Sequence, residues 1–136
     1  MQGETQFEVR YAETDQMGIV HHSNYAVWFE AARTALFRQQ GTSYADIEKA
    51  GALLPLYELQ CRFIAPAQYG DTVTVESRVS QLTRTRMHLD YTVRRSADGT
   101  VLATGSTAHA WTTRDLRPAN AAKLIPEIFT RLSAQF

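Results

Sequence analysis

The residues best suited to chemistry lie between Glu13 and Glu30. This segment holds carboxylates, the adjacent His21 and His22, a glycine, an asparagine and a tyrosine, between a predicted strand and the main predicted helix. Asp15 precedes His22 by seven residues, and His22 lies where that helix should begin. The free N–H groups and partial positive charge of a helix N-terminus can polarise a carbonyl or hold an oxyanion. A carboxylate on the adjoining loop then serves as nucleophile or as general base towards water, a pairing suited to acyl transfer.

Each of these residues also has a purely structural interpretation. Asp15 complements a helix dipole, Gly18 serves a tight turn, and Tyr25 at helical spacing belongs to a hydrophobic core. His21 and His22 point in different directions at a helix start and form a poor chelate, so we expect no metal and no other cofactor. The spacing alone leaves the catalytic and the structural interpretations of Asp15 both open.

Other candidate side chains lie outside this segment. Arg84 and Arg86 flank a predicted turn between strands, where they are either ordinary polar turn residues or cationic contacts to a phosphate. His88 and His109 fall on strands and are interpreted as structural. Cys61 lies on an apolar strand face, where a buried, unreactive thiol is expected. The chain has no G-x-S-x-G elbow, no Walker loop and no G-x-G-x-x-G fingerprint, so these chemistries have no support in the sequence.

A strand and a helix must position the segment. The alternation over Phe7–Tyr11 predicts a short strand, and the polar stretch 12–18 predicts a loop. A helical period then runs to about Gln40 from Ser23 or Asn24, either of which is a competent N-cap.

The predicted helix has one apolar stripe and one polar face. Its apolar stripe consists of Tyr25, Trp28, Phe29, Ala32, Ala35 and Leu36. The opposite face carries Glu30 and Arg33. Val27 and Phe37 lie towards this polar side and are either incidental or contacts to a partner subunit.

A short helix, further strands and a terminal helix follow. The short helix begins at a capping box on Ser43 and ends near Gly51. The apolar alternation predicts strands at about 57–63, 73–79, 87–93 and 101–112. Asp98-Gly99 predicts a hairpin between the last two strands, and Pro126 suits the first position of the terminal helix. Consecutive strands with short links indicate an α+β fold, a mostly antiparallel sheet with the long helix over one face.

Composition limits the function classes. A chain of 136 residues suits one domain, residues 1–136, with one core. A formal net charge of zero removes the broad attraction to nucleic acid and weakens the case for a polybasic membrane anchor. The chain has one cysteine and no stretch near the ~18 apolar residues of a spanning helix. Residues 1–6 lack a basic and an apolar region, so we expect no secretory signal there. We therefore expect a cytoplasmic domain with no nucleic-acid partner and no membrane insertion.

The stretch Tyr11–Tyr25 carries a family resemblance. Its sequence, YAETDQMGIVHHSNY, contains the pattern Asp-x-x-Gly-x-Val-x-x-x-x-Tyr and resembles the 4-hydroxybenzoyl-CoA thioesterase family of hotdog-fold acyl-CoA thioesterases. The resemblance covers nearly the whole chain, continuing through 28–33, 41–44, 66–71, 102–107 and Arg117-Pro118.

The resemblance implies a hotdog fold, in which the antiparallel sheet wraps the long helix, and hydrolysis of acyl-CoA thioesters. Asp15 is then the catalytic carboxylate, as nucleophile or as general base. The backbone N–H of His22 polarises the thioester carbonyl, and its imidazole assists without being essential in every relative. Gly18 and Tyr25 are the expected substrate-binding residues, with the acyl chain entering beside the helix near Tyr25. Met17 stands where relatives carry small residues, which narrows the acyl pocket.

The same resemblance implies an assembly and a way to hold CoA. Relatives build each site from two subunits, so we expect a homodimer or a homotetramer formed as a dimer of dimers. Arg84 and Arg86 are the candidate contacts for the CoA phosphates. Two other functions stay open, a hotdog-fold hydroxyacyl-thioester dehydratase with a histidine base and a non-catalytic acyl-CoA-binding module that would tolerate loss of Asp15. The acyl group, and CoA against acyl carrier protein as its carrier, also stay open.

Overall fold

One antiparallel sheet and one long helix organise the chain. The computed structural model describes residues 1–136. Its strands are β1 (Gln2–Glu8), β2 (Leu56–Phe63), β3 (Thr72–Leu82), β4 (Arg86–Arg95) and β5 (Val101–Ala110). Its helices are α1 (Ser23–Gln39), α2 (Tyr44–Ala50), α3 (Ala121–Leu124) and α4 (Pro126–Gln135), with a 3-10 turn at Tyr11–Glu13. None of the helices combines the length and the apolar character needed to cross a membrane.

The strands pair in the order β1–β3–β4–β5–β2, which makes β1 and β2 the edges of the sheet. Every neighbouring pair is antiparallel, as expected. The predicted hairpin at Asp98-Gly99 joins β4 to β5, and Gly99 has a φ of 71° there. That left-handed conformation favours a residue without Cβ, so the turn and its sequence agree.

The apolar stripe of α1 forms the centre of the core. Phe29, Ala32 and Leu36 are fully buried. The Phe29 ring stacks on Tyr91 of β4 with centroids 4.4 Å apart. A Cβ on Gly105 of β5 would lie 2.6 Å from the Phe29 ring, so glycine at this position lets the helix approach the sheet. The long helix thus covers one face of the sheet, as the order of the strands and helices predicted.

The predicted N-cap of α1 is wrong. The residue before the helix is His22, which has helical backbone angles and no side-chain cap. The side chains of Ser23 and Asn24 instead bond backwards into the preceding segment. Ser23 Oγ lies 2.8 Å from His21 Nδ1, and Asn24 Nδ2 donates to the Glu13 carbonyl at 2.9 Å. Both candidate caps therefore tie the loop to the helix start instead of capping the helix.

The predicted polar face of α1 is partly buried. Arg33 is only 9% exposed, and Phe37 is fully buried within the chain. Tyr44, at the start of α2, covers this side of the helix. Its hydroxyl accepts a 2.7 Å bond from Arg33 Nε, and its ring meets Phe37 with centroids 4.9 Å apart. Phe37 is thus a core residue and is not free to meet a partner subunit, whereas Val27 stays exposed.

The first strand begins earlier than its apolar alternation suggests. β1 covers Gln2–Glu8 and pairs with β3. Tyr11, which was predicted to belong to this strand, lies instead in the 3-10 turn. The first half of β1 is polar, and the backbone ladder to β3 holds it in the sheet. That half has no apolar alternation from which the strand could be predicted.

The apolar face of β2 is only partly covered within the chain. Leu59 is 39% exposed and Phe63 is 53% exposed. Cys61 on the same face is half-buried instead of buried, and burial still raises the pKa of its thiol. A register irregularity between Leu56 and Glu58 accompanies the contact of the Tyr57 hydroxyl with His88 Nε2 at 3.0 Å. The β2 edge therefore exposes both backbone and apolar side chains.

Candidate active site

A largely apolar cavity opens beside the start of α1. Its volume is about 330 Å³, and seven of its ten lining residues are hydrophobic. The walls come from the loop before α1, from the helix start and from the end of β2, with Asp15, Met17, His22, Tyr25, Phe63 and Ile64 among the contributors. A depression of about 420 Å³ on the outer sheet face has no hydrophobic lining residue, so it does not suit an acyl chain. The first cavity brings Asp15 and His22 together, as the spacing predicted.

The two oxygens of the Asp15 carboxylate have different surroundings. The N–H of Met17 donates to Oδ1 at 2.9 Å, while Oδ2 has no hydrogen-bond partner in the protein. The backbone of Asp15 is also held within the loop, because Gly18 N donates to the Asp15 carbonyl and Asp15 N donates to the Ile19 carbonyl, both at 2.9 Å. One carboxylate oxygen is thus held by the loop, and the other is free to accept a hydrogen bond.

The backbone N–H of His22 has no acceptor within the protein. The N–H groups of its neighbours are all bonded. His21 N donates to the Glu13 carbonyl at 2.8 Å, Ser23 N to His21 Nδ1 at 3.2 Å, and Asn24 N to the His21 carbonyl at 3.0 Å. A free N–H at a helix N-terminus has the polarity that an incoming carbonyl oxygen requires.

The His22 imidazole is exposed and lies between two other rings. It packs on the His21 ring with centroids 4.0 Å apart and meets the edge of Phe63 at 6.4 Å. The side chain therefore forms part of the rim, while the backbone N–H supplies the hydrogen-bond donor.

Of the two residues expected to bind substrate, Tyr25 lines the cavity and Gly18 does not. Tyr25 is 3% exposed, and its ring meets Phe63 edge-on at 5.1 Å. Burial raises the pKa of the Tyr25 hydroxyl, with a smaller contribution from Cys61, so this wall stays uncharged at neutral pH. Gly18 has a φ of 80° and nothing within 4 Å of where a Cβ would stand, so it serves the turn through its backbone.

Within one chain, Arg84 and Arg86 lie far from the cavity. Arg86 is opposite Ala110 on β5, whereas Phe63 at the cavity is opposite Ala103. Seven residues of strand separate these positions along β5, or roughly 23 Å at about 3.3 Å per residue. Arg86 Nη1 instead donates to the Tyr57 hydroxyl at 3.5 Å, and Arg84 lies in the β3–β4 turn. The structure does not bring the two arginines to this chain's own cavity.

The two strand histidines make structural contacts. His109 is 1% exposed, with Nε2 at 2.9 Å from Thr107 Oγ1 and Nδ1 at 3.2 Å from the Leu54 carbonyl. Burial lowers the pKa of His109 to about 4, assisted by the charge of Arg33. His88 contacts the Tyr57 hydroxyl on the outer face of the sheet. Neither histidine lines the cavity.

Sequence reasoning gave no role to Glu13. Its carboxylate is 4% exposed although it stands two residues before Asp15. Oε1 accepts from the N–H of Arg10 at 2.8 Å, and Oε2 accepts from Nε1 of Trp28 at 3.0 Å. The spacing of Arg10 and Glu13, three residues apart as in a capping box, is the signal from which this contact could have been predicted.

Comparisons with known proteins agree with the geometry. The thioesterase-like superfamily model matches residues 9–132. The Bacillus subtilis protein named “Putative acyl-CoA thioesterase YneP” is 50% identical over 72 residues, which is 53% of this chain and 52% of that protein. The match thus spans about half the length of this curated relative.

Solved structures match over almost the entire chain. The DHNA-CoA thioesterase of Staphylococcus aureus is 34% identical with a TM-score of 0.92, and the match covers 98% of this chain and 89% of that one. The hypothetical protein TT1821 of Thermus thermophilus is 41% identical with a TM-score of 0.87, and the match covers 96% of this chain and 97% of that one. The chain therefore belongs to the thioesterase-like superfamily and has the hotdog fold.

Proposed function

We propose that the protein hydrolyses acyl-CoA thioesters to the free acid and CoA. One observation carries the proposal. The unpartnered Oδ2 of Asp15 and the unpartnered N–H of His22 belong to residues that line the same apolar cavity. Membership of the thioesterase-like superfamily and the names of the similar proteins support it.

The proposed mechanism begins with the thioester carbonyl at the helix start. Its oxygen accepts a hydrogen bond from the His22 N–H, which together with the helix dipole stabilises the negative charge that develops during attack. Asp15 Oδ2 then either attacks the carbonyl carbon or takes a proton from a water molecule that attacks instead. The first route expels the CoA thiolate and leaves a mixed anhydride that water cleaves. The second route gives the free acid directly.

The apolar wall receives the acyl group in this proposal. Tyr25 and Phe63 supply the uncharged surface, and desolvation of the site strengthens the polar contacts to the carbonyl. Met17 is 77% exposed at the mouth of the cavity, so its flexible side chain narrows the entrance. We propose that this residue limits the width of the acyl groups accepted.

We also propose that the protein forms a homodimer through β2. An exposed edge strand presents unpaired N–H and C=O groups that a second strand can pair with. Antiparallel pairing about Gln60 would place Glu58 opposite Arg62 of the partner subunit, and the two-fold axis would repeat the pair. The same contact would cover the exposed side chain of Leu59. This self-complementary sequence supports a second copy of the chain as the partner.

The proposed dimer gives Arg84 and Arg86 a role in trans. Leu56 would lie opposite Ile64 of the partner subunit, at the partner's cavity. Arg86 lies two strands from Leu56 on the same sheet, and its guanidinium carbon is 5.5 Å from the centre of the Tyr57 ring. We propose that these arginines bind the CoA phosphates at the partner's site, and that exposed Val27 contributes to contact between two dimers in a homotetramer.

The direct test of the activity is a thiol-release screen over acyl-CoAs of graded length together with aromatic acyl-CoAs. The proposal predicts turnover for at least one of them. Binding without hydrolysis across the panel would instead identify a binding module. Conversion of a 3-hydroxyacyl-CoA into its enoyl product without thiol release would identify a dehydratase.

A further inference from the structure

Glu13 is a buried carboxylate beside the candidate site that does not line the cavity. An acidic side chain is seldom buried unless it is paired or hydrogen-bonded. Here Oε2 accepts a 3.0 Å bond from Trp28 Nε1, on the second turn of α1. Oε1 accepts a 2.8 Å bond from the backbone of Arg10. The side chain thus joins the body of the helix to the segment that leads into the loop of residues 14–20, here called the Asp15 loop.

The backbone of Glu13 makes a second set of bonds to the helix start. Its carbonyl accepts from the N–H of His21 at 2.8 Å and from Asn24 Nδ2 at 2.9 Å. His21 directly precedes His22, whose N–H is the free donor. Glu13 therefore contacts the chain on both sides of this donor, at His21 just before it and at Asn24 and Trp28 of α1 after it.

The Asp15 loop has few other attachments to the helix. Its main internal bonds run between Asp15, Met17, Gly18 and Ile19, so they fix the shape of the loop but not its position. Val20 N donates to the Ala67 carbonyl at 2.8 Å, which anchors the far end to the 64–71 segment. The near end, two residues from Asp15, is anchored to α1 by Glu13.

We infer that Glu13 is a positioning residue that sets the separation between the Asp15 carboxylate and the His22 N–H. The inference rests on the proposed hydrolysis. A misplacement of about 1 Å between reacting groups costs on the order of a hundredfold in rate. A charged acceptor forms a stronger bond to Trp28 than a neutral one, so the carboxylate fixes the loop more firmly than an amide would.

Two variants separate positioning from general stability. Glu13→Gln keeps the shape of the side chain but removes its charge and turns an NH2 group towards one of its two donors. Trp28→Phe removes the donor and keeps an aromatic ring in the core. The matched control is Glu127→Gln, because Glu127 is an exposed acid on α4 with no side-chain hydrogen bond.

The experiment measures kcat, KM and Tm for wild type, both single variants, the double variant and the control, with kinetics run well below each Tm. We expect kcat to fall about tenfold or more in each single variant while KM changes less than about threefold. The double variant should be no slower than the worse single variant, because both changes remove the same interaction. The control should keep wild-type kcat.

A folded Glu13→Gln variant with kcat within twofold of wild type would overturn the inference, even if its Tm fell. Fully multiplicative losses in the double variant would also overturn it. If Glu13→Gln does not fold, the kcat of Trp28→Phe decides by the same criterion. Absence of wild-type turnover on every acyl-CoA would overturn the proposed function itself, so the two failures can be distinguished.

Discussion

The backbone N–H of Met17 donates a 2.9 Å hydrogen bond to Oδ1 of Asp15 and leaves Oδ2 free. The bond orients the carboxylate without help from another side chain. The cavity that Asp15 lines also includes His22, whose backbone N–H has no acceptor. Much of the proposed chemistry therefore depends on backbone groups, which makes substitutions at single positions informative.

The backbone role of His22 predicts a contrast between two substitutions. His22 has a φ of −56°, close to the value that a proline ring imposes, and its N–H is unpaired. His22→Pro should therefore fold but lose about 10²–10³-fold in kcat, the usual cost of removing one oxyanion donor. His22→Ala keeps the N–H and should lose less than about tenfold. Steady-state kinetics on both variants checks this, and equal losses would show that the imidazole carries the role.

The proposed dimer predicts a charge-swap result. Glu58→Arg should weaken self-association by facing two arginines across the paired strands, and Arg62→Glu should do the same with two acids. The double variant restores opposite charges and should recover the dimer. Sedimentation velocity at several concentrations measures the outcome. Single variants that dimerise like wild type would rule out pairing about Gln60.

The trans role of the arginines predicts a selective effect on KM. The paired variant Arg84→Ala, Arg86→Ala should raise KM for an acyl-CoA but not for a short thioester that lacks the nucleotide, because only the first has phosphates to bind. Equal KM values for the two substrates would remove both arginines from the CoA site.

Mixed dimers distinguish the partner's arginines from the chain's own. Asp15→Asn chains are mixed with chains that carry Arg84→Ala and Arg86→Ala. In a mixed dimer, one of the two sites then has an intact Asp15 from the double-alanine chain and intact arginines from the Asp15→Asn chain. We therefore expect a low-KM fraction to reappear on mixing. Its absence, when the double-alanine variant alone shows a high KM, would indicate that the arginines act in cis.

Buried His109 predicts a stability change in mild acid. Its pKa is lowered to about 4 from 6.5 by burial and then by the charge of Arg33, so the unfolded state binds the proton more tightly than the folded state. The neutral His109 therefore contributes up to about 3 kcal/mol to the free energy of unfolding. This contribution is complete above pH 6.5 and is lost as the pH falls towards 4. Urea unfolding at pH 7.5, 5.5 and 4.5 tests it, with His109→Gln as the comparison. If NMR of the folded protein showed the His109 imidazole titrating near pH 6.5, that result would contradict the prediction.

The sequence predicted the parts of the molecule that depend on local pattern. The alternation in β3 and β4, the turn at Asp98-Gly99 and the capping box at Ser43 are short-range features, and all are present. The spacing of Asp15 and His22 across a loop and a helix start is likewise a local feature, and both residues line one cavity.

Other features depended on neighbours distant in the chain. A helical wheel places Arg33 on the polar face of α1. It could not predict that the hydroxyls of Tyr44 and Tyr91 accept hydrogen bonds from Arg33 inside the core. The role of Ser23 and Asn24 in tying the loop depends on where Glu13 and His21 lie. The position of Arg86 relative to the cavity follows from strand register, which the spacing of the two segments does not determine.

The most direct test of the proposed hydrolysis is the kcat of Asp15→Asn for the best acyl-CoA, measured by thiol release. Asparagine keeps an oxygen for the Met17 N–H but can neither attack the carbonyl nor accept a proton from water. We expect kcat to fall about 10²–10⁴-fold while acyl-CoA binding is retained, and the exposed control Asp115→Asn to behave like wild type. Wild-type turnover by the Asp15→Asn variant would contradict the proposed mechanism.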